Sequence, residues 1–185
     1  MAEIPDKPVL EGLEQKWDQA WNDAGTYRFD RTAAEAAGRA GVYSIDTPPP
    51  TASGSLHIGH VFSFTHTDIK ARFERMRGKS VFYPMGWDDN GLPTERRVQN
   101  YYGVRCDPSL AYDGEFPPPF EGTTKTIKPA DQVPISRRNF IELCERLTVE
   151  DEKQFEAVFR QLGLSVDWDQ TYRTISDDTI RTSQL

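Results

Sequence analysis

The clearest helical pattern in the sequence lies between residues 58 and 76, with a short strand pattern on each side. Apolar or half-apolar residues recur there every three to four positions, as on one face of an α-helix. The set is Ile58, Val61, Phe62, Thr65, Ile69, Phe73 and Met76. Residues 41–46 have the pattern of a buried strand, and residues 80–85 that of a second one. Two strands joined by a crossover helix form a βαβ unit, so we expect them to be parallel.

The same spacing predicts an amphipathic helix over residues 10–24, and a further helix that begins near Pro93 and stops at Gly103. After residue 135, one helical pattern of apolar residues follows Ser136, and a second follows the capping-box pattern of residues 148–151. We interpret these two patterns as a helical hairpin. Residues 168–175 then read as an extended return segment.

The chain therefore divides into five predicted parts. They are an N-terminal helical arm (1–40), an α/β segment (41–106), a proline-rich loop (107–135), a helical hairpin with its return segment (136–175) and a lead-in to a further region (176–185). The loop holds six prolines and few periodic apolar residues, which is typical of a long surface connection.

Composition narrows the class of protein. The 185 residues are 37% hydrophobic and 28% charged, an ordinary globular balance. No apolar run approaches the ~20 residues that span a membrane. The net charge of −7 argues against indiscriminate nucleic-acid binding, which depends on neutralising phosphates. The two cysteines form neither a disulfide framework nor the usual zinc spacing, so we expect no protein-bound metal here and a reducing, cytoplasmic location.

The candidate chemistry lies where the first strand gives way to the long helix. Residues 47–60 are rich in proline and glycine, and His57 and His60 stand in the first helical turn. Their i, i+3 spacing places both imidazoles on one face, and Gly59 between them lets a flat ring lie against the backbone. Helix N-termini carry unpaired N–H groups and a partial positive charge. This turn is therefore a candidate triphosphate site.

Three stretches resemble one known family. His57-Ile58-Gly59-His60 matches the HIGH signature of the class I aminoacyl-tRNA synthetases. The longer string 48–60, the element Gly86–Glu95 (GWDDNGLPTE) and residues 135–168 are similar to the valine enzymes of that class. The resemblance covers nearly the whole chain. It implies the first half of a Rossmann-like (HUP-type) parallel-sheet nucleotide-binding domain, with the N-terminal helix before it and the helical hairpin behind it.

The resemblance also implies an activity and its partners. Such enzymes use ATP with Mg²⁺ to convert an amino acid, here L-valine, to an aminoacyl-adenylate, and then pass the acyl group to tRNA(Val). Catalysis of this kind depends on positioning and on charge stabilisation rather than on a covalent enzyme intermediate. We expect a monomer with no membrane partner.

Site roles are carried over by position. The resemblance implies that His57 and His60 are the catalytic phosphate contacts and that Gly59 lies beneath the adenine. It implies that Asp88 binds the α-ammonium group of the amino acid. Further expected ATP contacts are Ser53 and Gly54, and the further expected lining of the amino-acid pocket is Pro49, Pro50, Thr51 and Asn90. Trp87 is a weaker candidate and fits the core better.

Two sets of charged residues remain open at this stage. Basic residues late in the long helix (Arg72, Arg75, Arg77 and Lys79) could face the tRNA acceptor end, but a solvated helix face is the simpler interpretation. Glutamates spaced along predicted helices, Glu152 among them, are expected to face solvent and to have no catalytic role.

Several regions of a complete class I synthetase have no counterpart here. The sequence has no Lys-Met-Ser-Lys string, and it is too short for an editing domain. We therefore expect an N-terminal fragment that is inactive or weak alone. The alternatives are an isoleucyl- or leucyl-tRNA synthetase fragment, a small nucleotidyltransferase, and a non-catalytic synthetase-derived binding module.

Overall fold

The structure is a computed structural model that describes residues 11–119, 121–122 and 127–185. Residue 10, where the first predicted helix begins, lies outside these ranges. The six helices among the described residues are α1 (Leu13–Asp23), α2 (Arg31–Ala37), α3 (Ile58–Met76), α4 (Leu92–Tyr102), α5 (Arg137–Gln161) and α6 (Asp177–Ser183). The six strands are β1 (Val42–Ser44), β2 (Ser80–Phe82), β3 (Pro84–Trp87), β4 (Val104–Cys106), β5 (Val133–Ile135) and β6 (Asp167–Arg173).

The chain forms two compact units. Unit 1 comprises Met1–Thr47, His57–Met85 and Glu156–Thr171. Unit 2 comprises Pro48–Leu56, Gly86–Phe155 and Tyr172–Leu185. The chain passes from one unit to the other several times, so residues distant in sequence meet within each of them.

Unit 1 contains the predicted βαβ arrangement. β1 and β2 are parallel, with Val42 opposite Ser80 and Ser44 opposite Phe82. This confirms the parallel pairing, although β1 is half-buried to exposed rather than buried. The second predicted strand is two strands, β2 and β3, with the fully buried Tyr83 between them.

The buried face of α3 differs from the predicted one. The apolar residues that define its period, such as Ile58 and Met76, are 81% and 87% exposed, and Phe62, Ile69 and Phe73 are exposed as well. The buried residues of α3 are instead Phe64, Asp68, Ala71 and Glu74. Periodicity locates an apolar stripe but cannot recognise a buried face whose polar residues are paired.

Hydrogen bonds stabilise that polar face inside unit 1. Asp68 accepts hydrogen bonds from the Ser165 amide at 2.6 Å and from Arg72 Nε at 2.7 Å. Arg75 donates to the Ser165 carbonyl at 2.8 Å, and Arg72 also bonds the Gly163 carbonyl. These two arginines are therefore engaged within the fold, and the idea that they face tRNA receives no support from their contacts.

Unit 2 contains the strand pair β4 and β5 and most of helix α5. β4 and β5 are parallel, with Val104 opposite Val133. Between α4, this pair and α5 lies the core of the unit, formed by Val98, Tyr102, Val104, Ile135, Phe140, Leu143 and Leu147. The predicted loop 107–135 therefore ends in ordered structure, because residues 129–131 form a 3₁₀ turn and β5 follows.

The predicted helical hairpin is wrong, since α5 is one continuous helix of 25 residues. The capping-box pattern at residues 148–151 misled the prediction. Thr148 lies mid-helix, and its hydroxyl donates to the Glu145 carbonyl at 3.1 Å, a bond that helical residues commonly make. No glycine or proline interrupts residues 137–161, so nothing in the backbone ends the helix there.

The return segment pairs with β3 as strand β6. In unit 1 the Asp167 amide donates to the Tyr83 carbonyl, and in unit 2 the Thr174 amide donates to the Trp87 carbonyl. Ser176 then caps α6 by accepting from the Thr179 amide at 3.3 Å. Among the described residues, no helix is long and apolar enough to cross a membrane.

Candidate active site

The two histidines at the start of α3 cap that helix with their own side chains. His57 is the N-cap residue, with extended backbone angles, and its Nδ1 accepts the Gly59 amide at 3.1 Å. His60 Nδ1 in turn accepts the His57 amide at 3.4 Å. Two helix-terminal N–H groups that would otherwise lack a partner in the helix are satisfied in this reciprocal way.

This capping fixes the positions of the ring protons. A neutral imidazole carries its proton on one nitrogen only, and here Nδ1 of each ring is an acceptor. Nε2 is therefore the nitrogen that carries the proton in the neutral form of each ring. The rings of His57 and His60 are stacked, with centroids 3.8 Å apart and planes 22° from parallel. The prediction that they share one helix face is confirmed.

The charge state of His60 also follows from its surroundings. Partial burial, and then the nearby His57 ring, lower the pKa of His60 below its usual range. His60 is therefore neutral at pH 7, which agrees with its acceptor role in the cap.

Gly59 is needed for the position of the His57 ring. A Cβ built on Gly59 would lie 2.8 Å from His57 Cε1 and 2.9 Å from Nδ1. The flat ring that lies against the Gly59 backbone in this structure is thus the His57 imidazole.

Gly54 lies in unit 2, and its amide already has a partner there. It adopts a left-handed conformation (φ 85°) and donates to Asp151 Oδ2 at 2.8 Å. Asp151 is 1% exposed and also accepts from Arg97 Nε and Nη2, each at 3.3 Å. The nearby Ser53 amide donates to the Thr51 carbonyl. Sequence reasoning missed Asp151 and Arg97, because Asp151 was interpreted as part of a helix cap.

The expected amino-acid pocket residues meet within unit 2 although they are 37 positions apart. Thr51 and Asp88 form a parallel β-bridge, with the Asp88 amide donating to the Pro50 carbonyl at 2.9 Å. The Thr51 hydroxyl donates to Asp88 Oδ2 at 3.1 Å. Pro50 is buried, whereas Pro49 and Thr51 are half-buried at this bridge. The structure therefore brings together the two sequence elements from which this pocket was predicted.

The turn after β3 holds the remaining candidates. The exposed Asn90 donates its amide to Asp88 Oδ1 at 3.3 Å and its Nδ2 to Thr174 Oγ1 at 3.0 Å. Trp87 is buried and packs edge-to-face on Phe155 at 6.3 Å, so its role is structural. Thr174 was not predicted, since no motif marks it, and only strand pairing brings it to this turn.

A buried acidic pair lies behind the same turn. The Asp89 side chain is fully buried, and Arg173 Nε lies 3.4 Å from its Oδ2 and 2.8 Å from Glu152 Oε1. Burial, and then the charge of Asp89, raise the pKa of Glu152 to about 7. Burial likewise raises the pKa of Asp89. The expectation that Glu152 faces solvent is wrong, because its side chain is only 15% exposed.

Within the part of the chain that the structure describes, no group of three or more His, Cys, Asp or Glu residues could hold a metal ion. Cys106 and Cys144 are both free thiols.

Comparison with known proteins agrees with these features. A model of the family "tRNA synthetases class I (I, L, M and V)" matches residues 16–111. The chain is 76% identical over 183 residues to a valine–tRNA ligase of Leifsonia xyli subsp. xyli, covering 98% of this chain and 21% of that protein. It is 66% identical over 181 residues to a valine–tRNA ligase of Thermobifida fusca, covering 98% and 20%. The chain thus spans about a fifth of the length of these curated relatives.

A solved structure shares the fold. It is the crystal structure of the ternary complex of Agrobacterium radiobacter K84 agnB2 LeuRS with tRNA and LeuAMS, with a TM-score of 0.61 and 23% identity. The match covers 92% of this chain and 16% of that one. ATP use is expected for this family, together with an amino acid and a tRNA as partners. The family match covers more than half of the sequence, and the chain belongs to the class I tRNA synthetases of the isoleucine, leucine, methionine and valine group.

Proposed function

We propose that this chain is a catalytic segment of a valine–tRNA ligase. The observation that carries the proposal is the stacked histidine pair at the N-terminus of α3, in which both Nδ1 atoms accept backbone amides. That arrangement presents two stacked imidazoles at the start of the helix as candidate donors to phosphate oxygens. It stands at the positive end of a 19-residue helix, which favours an anion.

The proposed reaction has two steps. A carboxylate oxygen of valine attacks the α-phosphorus of ATP, the bond between the α-phosphorus and its bridging oxygen breaks, and pyrophosphate leaves. The 2′-hydroxyl of the terminal adenosine of tRNA(Val) then attacks the acyl carbon of valyl-adenylate, and AMP leaves. Neither step needs a protein nucleophile, so the site has to orient the reactants and stabilise charge on phosphate.

In the first step, His57 and His60 donate to phosphate oxygens on which charge develops. Gly59 lies beneath the adenine, which requires the exposed His57 ring to adjust when nucleotide binds. Ser53 and Gly54 belong to the ATP-binding turn. Because the Gly54 amide is bonded to Asp151, we assign Gly54 to the shape of this turn rather than to a direct amide contact.

Asp88 is proposed to bind the α-ammonium group of valine. Its carboxylate stands at the bridge to Thr51, and a carboxylate is the natural partner of an ammonium ion in a partly buried site. Pro49, Pro50, Thr51 and Asn90 complete the lining. Stiff prolines at the pocket wall suit a small branched side chain, since they hold the wall in one conformation.

The remaining parts of the proposal concern the whole protein. Mg²⁺ enters with ATP and neutralises phosphate charge, with no protein-bound metal in this segment. The full-length ligase is a cytoplasmic monomer that edits mischarged products, because an apolar pocket rejects an added hydroxyl poorly.

The test is amino-acid-dependent ATP–pyrophosphate exchange by the full-length ligase that contains this chain. We expect exchange with valine and little with isoleucine or leucine. His57→Ala and His60→Ala should each lower kcat about 10²-fold, the usual effect of losing one donor to a developing charge. His66→Ala is the matched control, since His66 is exposed on the same helix and its ring contacts only Phe62 among the ring pairs described.

Different outcomes would overturn different parts of the proposal. Faster exchange with isoleucine or leucine would reject the valine assignment. Histidine variants as active as His66→Ala would reject the phosphate role of the pair. We also expect the 185-residue chain alone to catalyse little or no exchange, and a rate near that of the full-length ligase would contradict its assignment as an incomplete segment.

A further inference from the structure

Residue Thr174 lies beside the turn that carries the proposed ammonium-binding carboxylate. Its amide donates to the Trp87 carbonyl at 3.0 Å, which continues the pairing of β6 with β3 by one residue. This backbone bond places the Thr174 side chain next to residues 88–90. Strand pairing, rather than any sequence motif, therefore selects the residue that faces this turn.

The hydroxyl group of Thr174 uses its full hydrogen-bonding capacity in that turn. Its Oγ1 accepts the Asp89 amide at 3.1 Å and Asn90 Nδ2 at 3.0 Å, and lies 3.4 Å from Asp88 Oδ1. A threonine hydroxyl has one proton and two lone pairs. Both lone pairs face N–H donors, so the proton points to the Asp88 carboxylate. The direction of this hydrogen bond is thus determined by its neighbours.

The Asp88 carboxylate is in this way supported on both oxygens. Thr51 donates its hydroxyl to Oδ2 at 3.1 Å, and Oδ1 receives Thr174 and the Asn90 amide at 3.3 Å. A carboxylate offers about four lone-pair positions, so acceptor capacity remains for an incoming cation. The two hydroxyls fix the carboxylate plane without neutralising its charge.

We infer that Thr174 is a positioning residue for amino-acid binding, which holds the Asp88 carboxylate in the orientation that receives the substrate ammonium group. The inference rests on the proposed function, since it assumes that Asp88 binds that group. Thr174 itself does not touch the substrate. Its contribution is pre-organisation, because a carboxylate already held in place loses less freedom when the ammonium group binds.

The test uses Thr174→Val in the full-length ligase that contains this chain. The valine side chain has nearly the shape of threonine but can neither donate nor accept a hydrogen bond. The ammonium group takes no part in bond making, so its binding is equal in the ground and transition states. Loss of such binding raises KM and leaves kcat unchanged. We expect the KM for valine to rise about tenfold, the size of one hydrogen bond to a charged group.

Three comparisons separate positioning from a merely structural effect. Thr174→Ser keeps the hydroxyl and should restore the KM for valine to within about twofold of wild type. The 2-hydroxy analogue of valine lacks the ammonium group, so its inhibition constant should not change in Thr174→Val. Thr182→Val is the matched control, since the hydroxyl of Thr182 bonds only the Asp178 carbonyl in its own helix.

The inference is overturned if Thr174→Val leaves the KM for valine unchanged, or if it weakens the hydroxy analogue as much as valine. It is also overturned if Thr174→Ser fails to restore binding. Failure of the proposed function has a different signature: either the wild-type ligase gives no valine-dependent exchange, or Asp88→Asn leaves the KM for valine unchanged.

Discussion

Asp151 on α5 offers the sharpest test of how unit 2 holds the turn before His57. Its buried carboxylate accepts the Gly54 amide at 2.8 Å and two nitrogens of Arg97 at 3.3 Å. Asp151→Ala would remove both interactions at once. If this contact network determines the conformation of the turn, the chain should lose stability, and the full-length ligase should bind ATP more weakly.

The loss of stability in Asp151→Ala can be estimated from the two groups that lose their partner, the Gly54 N–H and the Arg97 side chain. An orphaned Gly54 N–H costs about 1–3 kcal/mol. Breaking a fully buried ion pair costs about 3–5 kcal/mol, but the Arg97 side chain is 30% exposed and can turn toward water, so we expect only about 1 kcal/mol from it. The free energy of unfolding should therefore fall by about 3 kcal/mol in total.

Urea unfolding followed by tryptophan fluorescence measures this change, because the buried Trp87 lies in the same unit. Glu150→Ala is the matched control: Glu150 is an acidic residue of the same helix, in an exposed pair with Lys153 at 2.8 Å. Exposed pairs contribute at most about 1 kcal/mol. A loss in Asp151→Ala no larger than in Glu150→Ala would refute the reasoning.

Three further predictions concern the histidine pair and the buried acids. Burial raises the pKa of Glu152 from 4.5 to about 7 in the folded state, so folding retains a proton that the unfolded chain releases. The chain should thus be more stable near pH 4.5 than at pH 8 by up to about 3 kcal/mol, and Glu152→Gln should flatten this dependence in thermal melts taken across that range. Gly59→Ala places a Cβ 2.8 Å from His57 Cε1, on the surface where the adenine is proposed to lie, so the KM for ATP should rise. An unchanged KM for ATP would contradict the proposed place of the adenine against Gly59. His57→Ala should raise the pKa of His60 toward its usual value in an NMR titration, and a pKa that stays low would assign the shift to burial alone.

Several helices and strands could be predicted from the sequence. The long helix α3, the strands on both sides of it and their parallel pairing follow from short-range patterns, and the structure confirms them. The proximity of His57 and His60 could also be predicted, because residues spaced i, i+3 at a helix start lie on the same face.

Two of the errors, the buried face of α3 and the exposure of Glu152, share one physical cause. The buried face of α3 carries Asp68 and Glu74, which belong inside only because Ser165, Arg72 and Lys70 satisfy them. Glu152 is withdrawn from solvent by Arg173. A polar residue is buried when its partners are in place, and two of these partners, Ser165 for Asp68 and Arg173 for Glu152, lie 97 and 21 positions away in the sequence.

The sequence by itself determined the family, the βαβ arrangement and the residues proposed for the site, since these depend on local spacing and on motifs that remain together along the chain. Only the tertiary structure decided that Asp151 holds Gly54 and that Thr174 faces Asp88. These contacts join residues 86 to 97 positions apart, and their energy comes from burial and hydrogen bonds that exist only after the chain has folded.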